Sequence, residues 1–331
     1  MENPDSGNMA TVGPGLDPPL TEVAPSPHLA EAGRTTRRMM IDVLVALIPV
    51  AGAAIYFFHW SAVRQMAICL AACLAVEALC AVMRRRRPPL ADGSAAVTAI
   101  ILALSLPATA PWYTAVIGSA AAIGIGKALF GGLGTNLFNP AMVGRAFVMI
   151  SFAGALGAAG YQDPRSSIDI LSQATPLTAF QQSGVSAGLA DLFFGQTNGS
   201  LGETSALACL AGGLFLCLRR SATWRIPASI LSAAGVIALL DTGIGAEGWT
   251  AAHHLLSGAL LFGAFFIATD PVSSPLTPRG QIIYGAGIGA LVMVIRIFSG
   301  YPEGVMFAVL LMNALTPLIN RWTIPTPFGG Q

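Results

Sequence analysis

Ten mostly apolar runs of fifteen to twenty residues, joined by polar connections that are short except for the 161–203 loop, constrain this chain more than any other feature. They lie at roughly 40–59, 66–83, 94–110, 113–130, 141–160, 204–218, 226–242, 251–268, 281–298 and 304–319. Several approach the ~20 residues that carry an α-helix across a bilayer. Charged residues make up 10% of the chain, against about 25% in soluble domains. The sequence therefore reads as an all-α polytopic membrane protein with about ten transmembrane helices, whose solvent is the lipid bilayer. The third and sixth runs are short or interrupted, as Pro107 and Pro111 near the end of the third suggest. A net charge of +1 gives no basis for nucleic-acid binding.

Residues 1–33 differ from the rest. They carry Pro, Gly, Ser and five acids (Glu2, Asp5, Asp17, Glu22, Glu31) and no Lys or Arg. That composition predicts a disordered cytoplasmic tail, and it lacks the basic and apolar regions of a cleaved signal peptide. The membrane domain then spans 34–331. The five cysteines (Cys69, Cys73, Cys80, Cys209, Cys217) all fall inside apolar runs, where Cys behaves as a small hydrophobe. They predict neither a metal site nor a disulfide framework.

Basic residues set the orientation. With the N-terminus in the cytoplasm, twelve of the seventeen basic residues lie inside: Arg34, Arg37, Arg38, Arg84–Arg87, Arg219, Arg220, Arg225, Arg279 and Arg321. Only Arg64 and Arg165 face out, while Lys127, Arg145 and Arg296 sit in or near spans. This places the 161–203 loop, with its polar stretch "DILSQATPL" (169–177), outside the cytoplasmic face of the membrane.

Two regions echo each other. "KALFGGLGTNLFNPAMVGRAF" (127–147) and "FFIATDPVSSPLTPRG" (265–280) each follow an apolar span, and each carries an Asn-Pro or Asp-Pro pair and then an Arg beside a Gly. Both are too rich in Gly or Pro for an uninterrupted helix. "ADGSAAVTAIILAL" (91–104) and "LGETSALACLAGGLFL" (201–216) both open with an acid and small polar residues, starting on opposite sides of the membrane. Paired broken segments of this kind suggest an inverted repeat with broken helices. Such backbone is tolerated at membrane depth only when it is buried in protein or lines a cavity.

Several long stretches in matching order carry a resemblance: "TTRRMMIDVLVALIP" (35–49), "DGSAAVTAIILALSLP" (92–107), "FGGLGTNLFNPAMVGRAF" (130–147), "DILSQATPL", "ATDPVSSPLTPRGQIIYG" (268–285) and "YPEGVMFAVLLMNALTPLI" (301–319). Together they resemble the RnfD family of the Rnf electron-transport complex. That family is related to NqrB of the sodium-pumping NADH:quinone reductase and more distantly to urea channels. The family's flavin-attachment motif reads Asp-x-x-Ser/Thr-Gly-Ala-Thr/Ser. Here it is Asp169, Ser172, Gln173, Ala174 and Thr175, with Gln173 in place of the usual Gly. The resemblance implies FMN on Thr175 through a phosphoester, installed in the periplasm by a separate flavin transferase, with the chain in the inner membrane. An alcohol is what a phosphoester needs, small Ala174 leaves room for the transferase, and Pro176 holds Thr175 extended. The resemblance further implies a noncovalent riboflavin near Asn136 and Asn139. Their amides can match the edge of the ring, although Asn139 before Pro140 also reads as a helix cap.

Ionisable residues at membrane depth are functional suspects. Asp92, Arg145, Asp270 and Glu303, with Lys127 and Arg296, are candidates for the route of the Na+ or H+ that the family moves. His253 and His254 read as interfacial, and Asp42 and Glu77 as lone acids without an obvious mate. The resemblance implies a chain inactive alone, with RnfA, RnfB, RnfC, RnfE and RnfG as partners. Those partners would supply iron–sulfur clusters and the docking site for ferredoxin or NADH. The competing readings are an NqrB-like component of the sodium-pumping quinone reductase, a urea-channel-like transporter and a structural anchor.

Overall fold

The computed structural model describes residues 35–85, 92–156, 175–184, 186–244, 249–299 and 304–325. The tail 1–33, the motif residues Asp169, Ser172, Gln173 and Ala174, and Glu303 lie outside them. Every regular element among the described residues is helical.

Helix α1 (Thr36–Met83) starts where the Thr35 hydroxyl accepts from the Arg38 amide, and it is bent sharply at His59 (φ 49°, ψ −127°). The first two apolar runs are thus two arms of one element. Met40 borders the same pocket as Ser94 and Lys127, and Glu77 pairs with Lys127. In a straight helix Met40 and Glu77 would be about 55 Å apart, so the arms fold back on each other. Two half-length helices follow the same logic. Helix α2 (Ser94–Ser105) has 12 residues and α8 (Ala206–Leu218) has 13; at 1.5 Å per residue both are too short to cross. The short third and sixth runs are therefore half-helices.

These half-helices are antiparallel. The Leu201 amide donates to the Leu106 carbonyl (3.2 Å) and the Gly202 amide to the Leu104 carbonyl (2.7 Å). Pro107 and Ser200 form an antiparallel bridge. The turn that opens α8 thus satisfies carbonyls at the end of α2, which would otherwise be orphaned. At the other end, Leu216 and Ser221 share a pocket with Ser94 at the start of α2.

Helix α3 (Trp112–Ile123) runs into a π-helical turn, Gly124–Ala128, and after a break α4 (Pro140–Ser151) begins with Pro at its first turn and Asn139 as cap. The short helices α5 (Ala153–Leu156), α6 (Pro176–Ser183) and α7 (Leu189–Phe194) precede α8. Helix α9 (Arg225–Ile244) follows, then α10 (Ala251–Leu256) and α11 (Leu260–Phe262). A second π-turn, Gly263–Ile267, leads into another break, and α12 (Pro278–Phe298) again begins with Pro, capped by Thr277. Helix α13 (Val305–Thr323) completes the set. The echo read from the sequence is realised as the same order of parts twice: π-turn, break, polar cap, Pro-led helix.

The radial distribution of polarity belongs to a membrane. Large apolar side chains such as Ile48, Trp60, Leu79, Leu218 and Phe298 point outward, while Gln65, Glu77, Lys127, Arg145, Arg296 and Asn313 are buried. Small residues bring the helices together as they do in lipid. A Cβ on Gly212 would run into the Ala46 carbonyl, and one on Gly289 into the Ile230 carbonyl, so α8 meets the first arm of α1, and α12 meets α9, backbone to backbone. Among the described residues α1, α12 and α13 are long and apolar enough to cross a membrane, with α2, α4 and α8 as shorter apolar helices.

Candidate functional site

Three pockets organise the polar interior. The first lies where the two breaks approach each other and is bordered by Met40, Ser94, Lys127, Asn136, Asn139 and Asp270. A neighbouring pocket shares Lys127 and adds Glu77, Arg84, Asp92 and Gly132. A third, on the other side of the α2–α8 turn, is bordered by Thr175, Leu177, Leu192, Thr197, Glu203 and Gly258.

Around the first two pockets the structure assembles a chain of polar contacts. Asp92 accepts from the Ser94 amide (2.8 Å) and hydroxyl (2.6 Å), a turn that starts α2. The Lys127 ammonium donates to the Ser94 hydroxyl (2.5 Å) and to the Glu77 carboxylate. Lys127 is held there by the π-turn, and all but about a twentieth of both ionic side chains is covered. Glu77, taken from sequence as a lone acid, has its mate fifty residues on. Asp42, also taken as lone, accepts from Arg219 (3.1 Å) and from the Ser221 hydroxyl (2.6 Å). Both corrections have one cause: partners on separate helices are invisible in a local window.

The two asparagines divide. Asn139 spends both ends of its amide on protein: the oxygen accepts from the Met142 amide (3.3 Å), capping α4, and the NH2 donates to the Ile267 carbonyl (3.2 Å) of the second π-turn. Asn136 donates to the Phe138 carbonyl (3.1 Å), and its buried oxygen has no partner among the described residues. Of the two, only Asn136 offers the pocket an uncommitted acceptor. Gly131, Gly132 and Gly134 all have positive φ (117°, 122°, 93°), which explains the glycines by backbone shape. Asp270 faces the same pocket but folds its own loop, accepting from the Val272 amide (3.2 Å) and the Ser273 hydroxyl (2.9 Å).

At the third pocket Thr175 caps α6. Its backbone is extended (φ −60°, ψ 156°), Pro176 occupies the first helical turn, and its hydroxyl accepts from the Thr178 amide (3.3 Å) and lies 2.9 Å from the Thr178 hydroxyl. The extended conformation expected from Pro176 is present. Thr175 is 5% exposed, so its side chain is buried. Glu203 borders this pocket and also a small one containing Ser105, Arg145 and Met306. Sequence reasoning missed Glu203 as a candidate, although it is the acid that opens the quoted "LGETSALACL" segment.

His253 and His254, expected at the interface, are instead buried. The Trp249 ring stacks on Phe180 (4.6 Å) and tilts over His253 (4.9 Å), while His254 approaches Asp241 (3.4 Å). The short α10 turns inward because Arg296 donates to the carbonyls of His254 (2.5 Å) and Ser257 (2.9 Å) at its end. No group of three His, Cys, Asp or Glu side chains among the described residues is placed to hold a metal.

With this arrangement in view, comparison with known proteins is decisive. The family described as NQR2, RnfD, RnfE matches residues 22–329. This chain belongs to that family. It is similar to the D component of the Na+-translocating ferredoxin:NAD+ oxidoreductase complex of Acetobacterium woodii, at 40% identity over 93% of this chain and 95% of that one. The D component of an ion-translocating oxidoreductase complex of Stutzerimonas stutzeri is 42% identical over 88% and 92%. The D component of the proton-translocating ferredoxin:NAD+ oxidoreductase complex of Clostridium ljungdahlii is 36% identical over 93% and 96%. The outward apolar faces and the family together make the chain a membrane protein.

Proposed function

We propose that this chain is the flavin-bearing membrane component of an ion-translocating ferredoxin:NAD+ oxidoreductase complex, catalytically inactive without its partners. Two relatives matched over at least 95% of their own length are named as D components of ion-translocating ferredoxin:NAD+ oxidoreductase complexes, and a third, matched over 92%, as that of an ion-translocating oxidoreductase complex. The observation that carries the flavin reading is the Thr175 hydroxyl, held on extended backbone at the edge of a pocket.

The residues present suit a flavin phosphoester. Thr175 supplies the alcohol, Leu177 and Leu192 offer apolar walls to a ring, and Thr197 and Asn198 offer polar groups at the rim. FMN supplies one- and two-electron redox chemistry when attached. The chain's own part is to fix the tether at the start of α6 and to hold that helix through the Phe180–Trp249 stack. A transferase outside the inner membrane would act on Thr175 with the N-terminal tail in the cytoplasm, as the basic-residue count favours. On the other side of the α2–α8 turn, the unpartnered Asn136 oxygen and the glycine-shaped backbone support riboflavin in the first pocket. The Na+ or H+ route draws on Asp92, Lys127, Asp270, Arg145 and Glu303, between two repeats of opposite orientation.

The test is to purify the assembled complex and read flavin fluorescence at this chain's band in a denaturing gel, alongside ferredoxin-to-NAD+ electron transfer. The wild-type band fluoresces, and Thr175→Ala loses both signals. A dark wild-type band, or fluorescence that persists in the variant, overturns the assignment and leaves a pore or anchor role.

A further inference from the structure

The turn between the two half-helices carries three buried oxygens that nothing among the described residues satisfies. Ser200 is 0% exposed, Thr204 2% and Glu203 8%. The Ser200 hydroxyl, the Thr204 hydroxyl and one Glu203 carboxylate oxygen have no hydrogen-bond partner. Buried polar groups are almost always paired, and a buried carboxylate needs a compensating positive charge. Three orphans within five residues therefore point to something that binds them.

The backbone of the turn is fixed by its own hydrogen bonds. The amides of Leu201 and Gly202 are committed to α2, and the Glu203 amide donates to the Ser200 carbonyl (3.0 Å). Two guanidinium groups and a thiol lie around the turn. From α12, Arg296 is close enough to feel the Glu203 charge, yet it points its Nη1 and Nη2 donors at the His254 and Ser257 carbonyls. From α4, Arg145 borders the same small pocket. From α8, the Cys209 thiol donates to the Gly202 carbonyl (3.3 Å). Among the described residues no basic group forms an ion pair with Glu203.

We propose that the 200–204 turn holds a small, hard monovalent cation, either Na+ or a hydrated proton, with the Glu203 carboxylate as its charged ligand and the Ser200 and Thr204 hydroxyls as neutral ones. All the free donors are oxygen, the chemistry hard cations take. One carboxylate balances a single positive charge. The position suits transit: Glu203 forms a shared wall between the Thr175 pocket and the pocket reaching Ser105 and Arg145. The site rests on the ion-translocation reading above, and names in it an acid that local sequence patterning passed over.

Thermal unfolding of the purified full-length chain in detergent reads the site directly, because a ligand that binds only the folded state raises Tm. NaCl is titrated against choline chloride at constant ionic strength, and the series is repeated across pH. In wild type Tm rises with Na+, and Glu203→Gln shifts the Na+ dependence upward by about tenfold or more, the loss of one charge-assisted contact. Thr204→Val shifts it less. Glu203→Asp, which keeps the charge, recovers part of the response and separates cation loss from misfolding. If Tm follows pH and not Na+, and Glu203→Gln removes that dependence, the occupant is the proton. Identical Na+ and pH responses in wild type and Glu203→Gln overturn the site. Flavin fluorescence of the same samples reports on Thr175 separately, so failure of the tether leaves the cation curves readable.

Discussion

The two breaks that follow the π-turns share a plan and differ in material. The first, residues 129–139, has glycine at three positive-φ positions, an exposed Leu129 and mostly local hydrogen bonds, such as Thr135 hydroxyl to Gly132 carbonyl (3.1 Å), with the Asn139 amide reaching the Ile267 carbonyl (3.2 Å). The second, residues 268–277, is built of Asp, Ser, Thr and Pro and is fastened to α13. The Thr316 hydroxyl donates to the Ser273 carbonyl (3.0 Å), the Leu276 amide to the Asn320 side chain (3.1 Å), and the Thr277 hydroxyl to that of Thr323 (2.6 Å). Asp270 closes the loop on itself. Local stability follows such bonding. The first break is thus the more pliable wall of the central pocket and the second the more rigid one; the first is held at its end by the Asn139–Ile267 bond and anchored at its start by the ion pair Lys127–Glu77.

Removing that anchor gives the largest effect. Lys127→Met strands a buried carboxylate and destabilises by about 3–5 kcal/mol, while Glu77→Leu with Lys127→Met recovers most of the loss, as buried pairs do. Unfolding of the purified chain in detergent checks it. A single variant within about 1 kcal/mol of wild type removes the pair as the anchor. Next comes the rigid wall: Asp270→Ala leaves the Val272 amide and Ser273 hydroxyl without their acceptor and costs about 1.5–3 kcal/mol, with proteolysis rising at 268–277. An equal rise at 129–139 would erase the distinction between the two breaks. Gly132→Ala has no neighbour within 4 Å of the new Cβ, so only its φ of 122° opposes the change. The expected cost is about 1–2 kcal/mol, and a neutral result would show that the first break already samples other shapes. Thr135→Ala is the mildest, about 0.5 kcal/mol, and amide exchange at 129–136 should still exceed that at 270–277.

The breaks were legible because Gly and Pro act through the local backbone. Asn139 before Pro140 announced a cap, and Pro176 announced the extended backbone of Thr175. The pairings that hold the interior were not legible. Glu77 and Lys127 are 50 residues apart and Asp42 and Arg219 are 177 apart, each hidden among apolar residues whose averages swamp a single charge. His253 and His254 looked interfacial because their burial depends on Arg296, on a helix that starts more than twenty residues later. Glu203 was overlooked because its meaning lies in a carboxylate oxygen left without a partner among the described residues, and that is visible only once the α2–α8 turn is folded.

The central claim is that Thr175 tethers a redox group, and intact-mass analysis of the purified chain with peptide mapping tests it most directly. The predicted result is one FMN phosphoester adduct, located on the peptide that contains Thr175 and absent from Thr175→Ala. An unmodified wild-type mass, or an adduct located elsewhere in the chain, would contradict it.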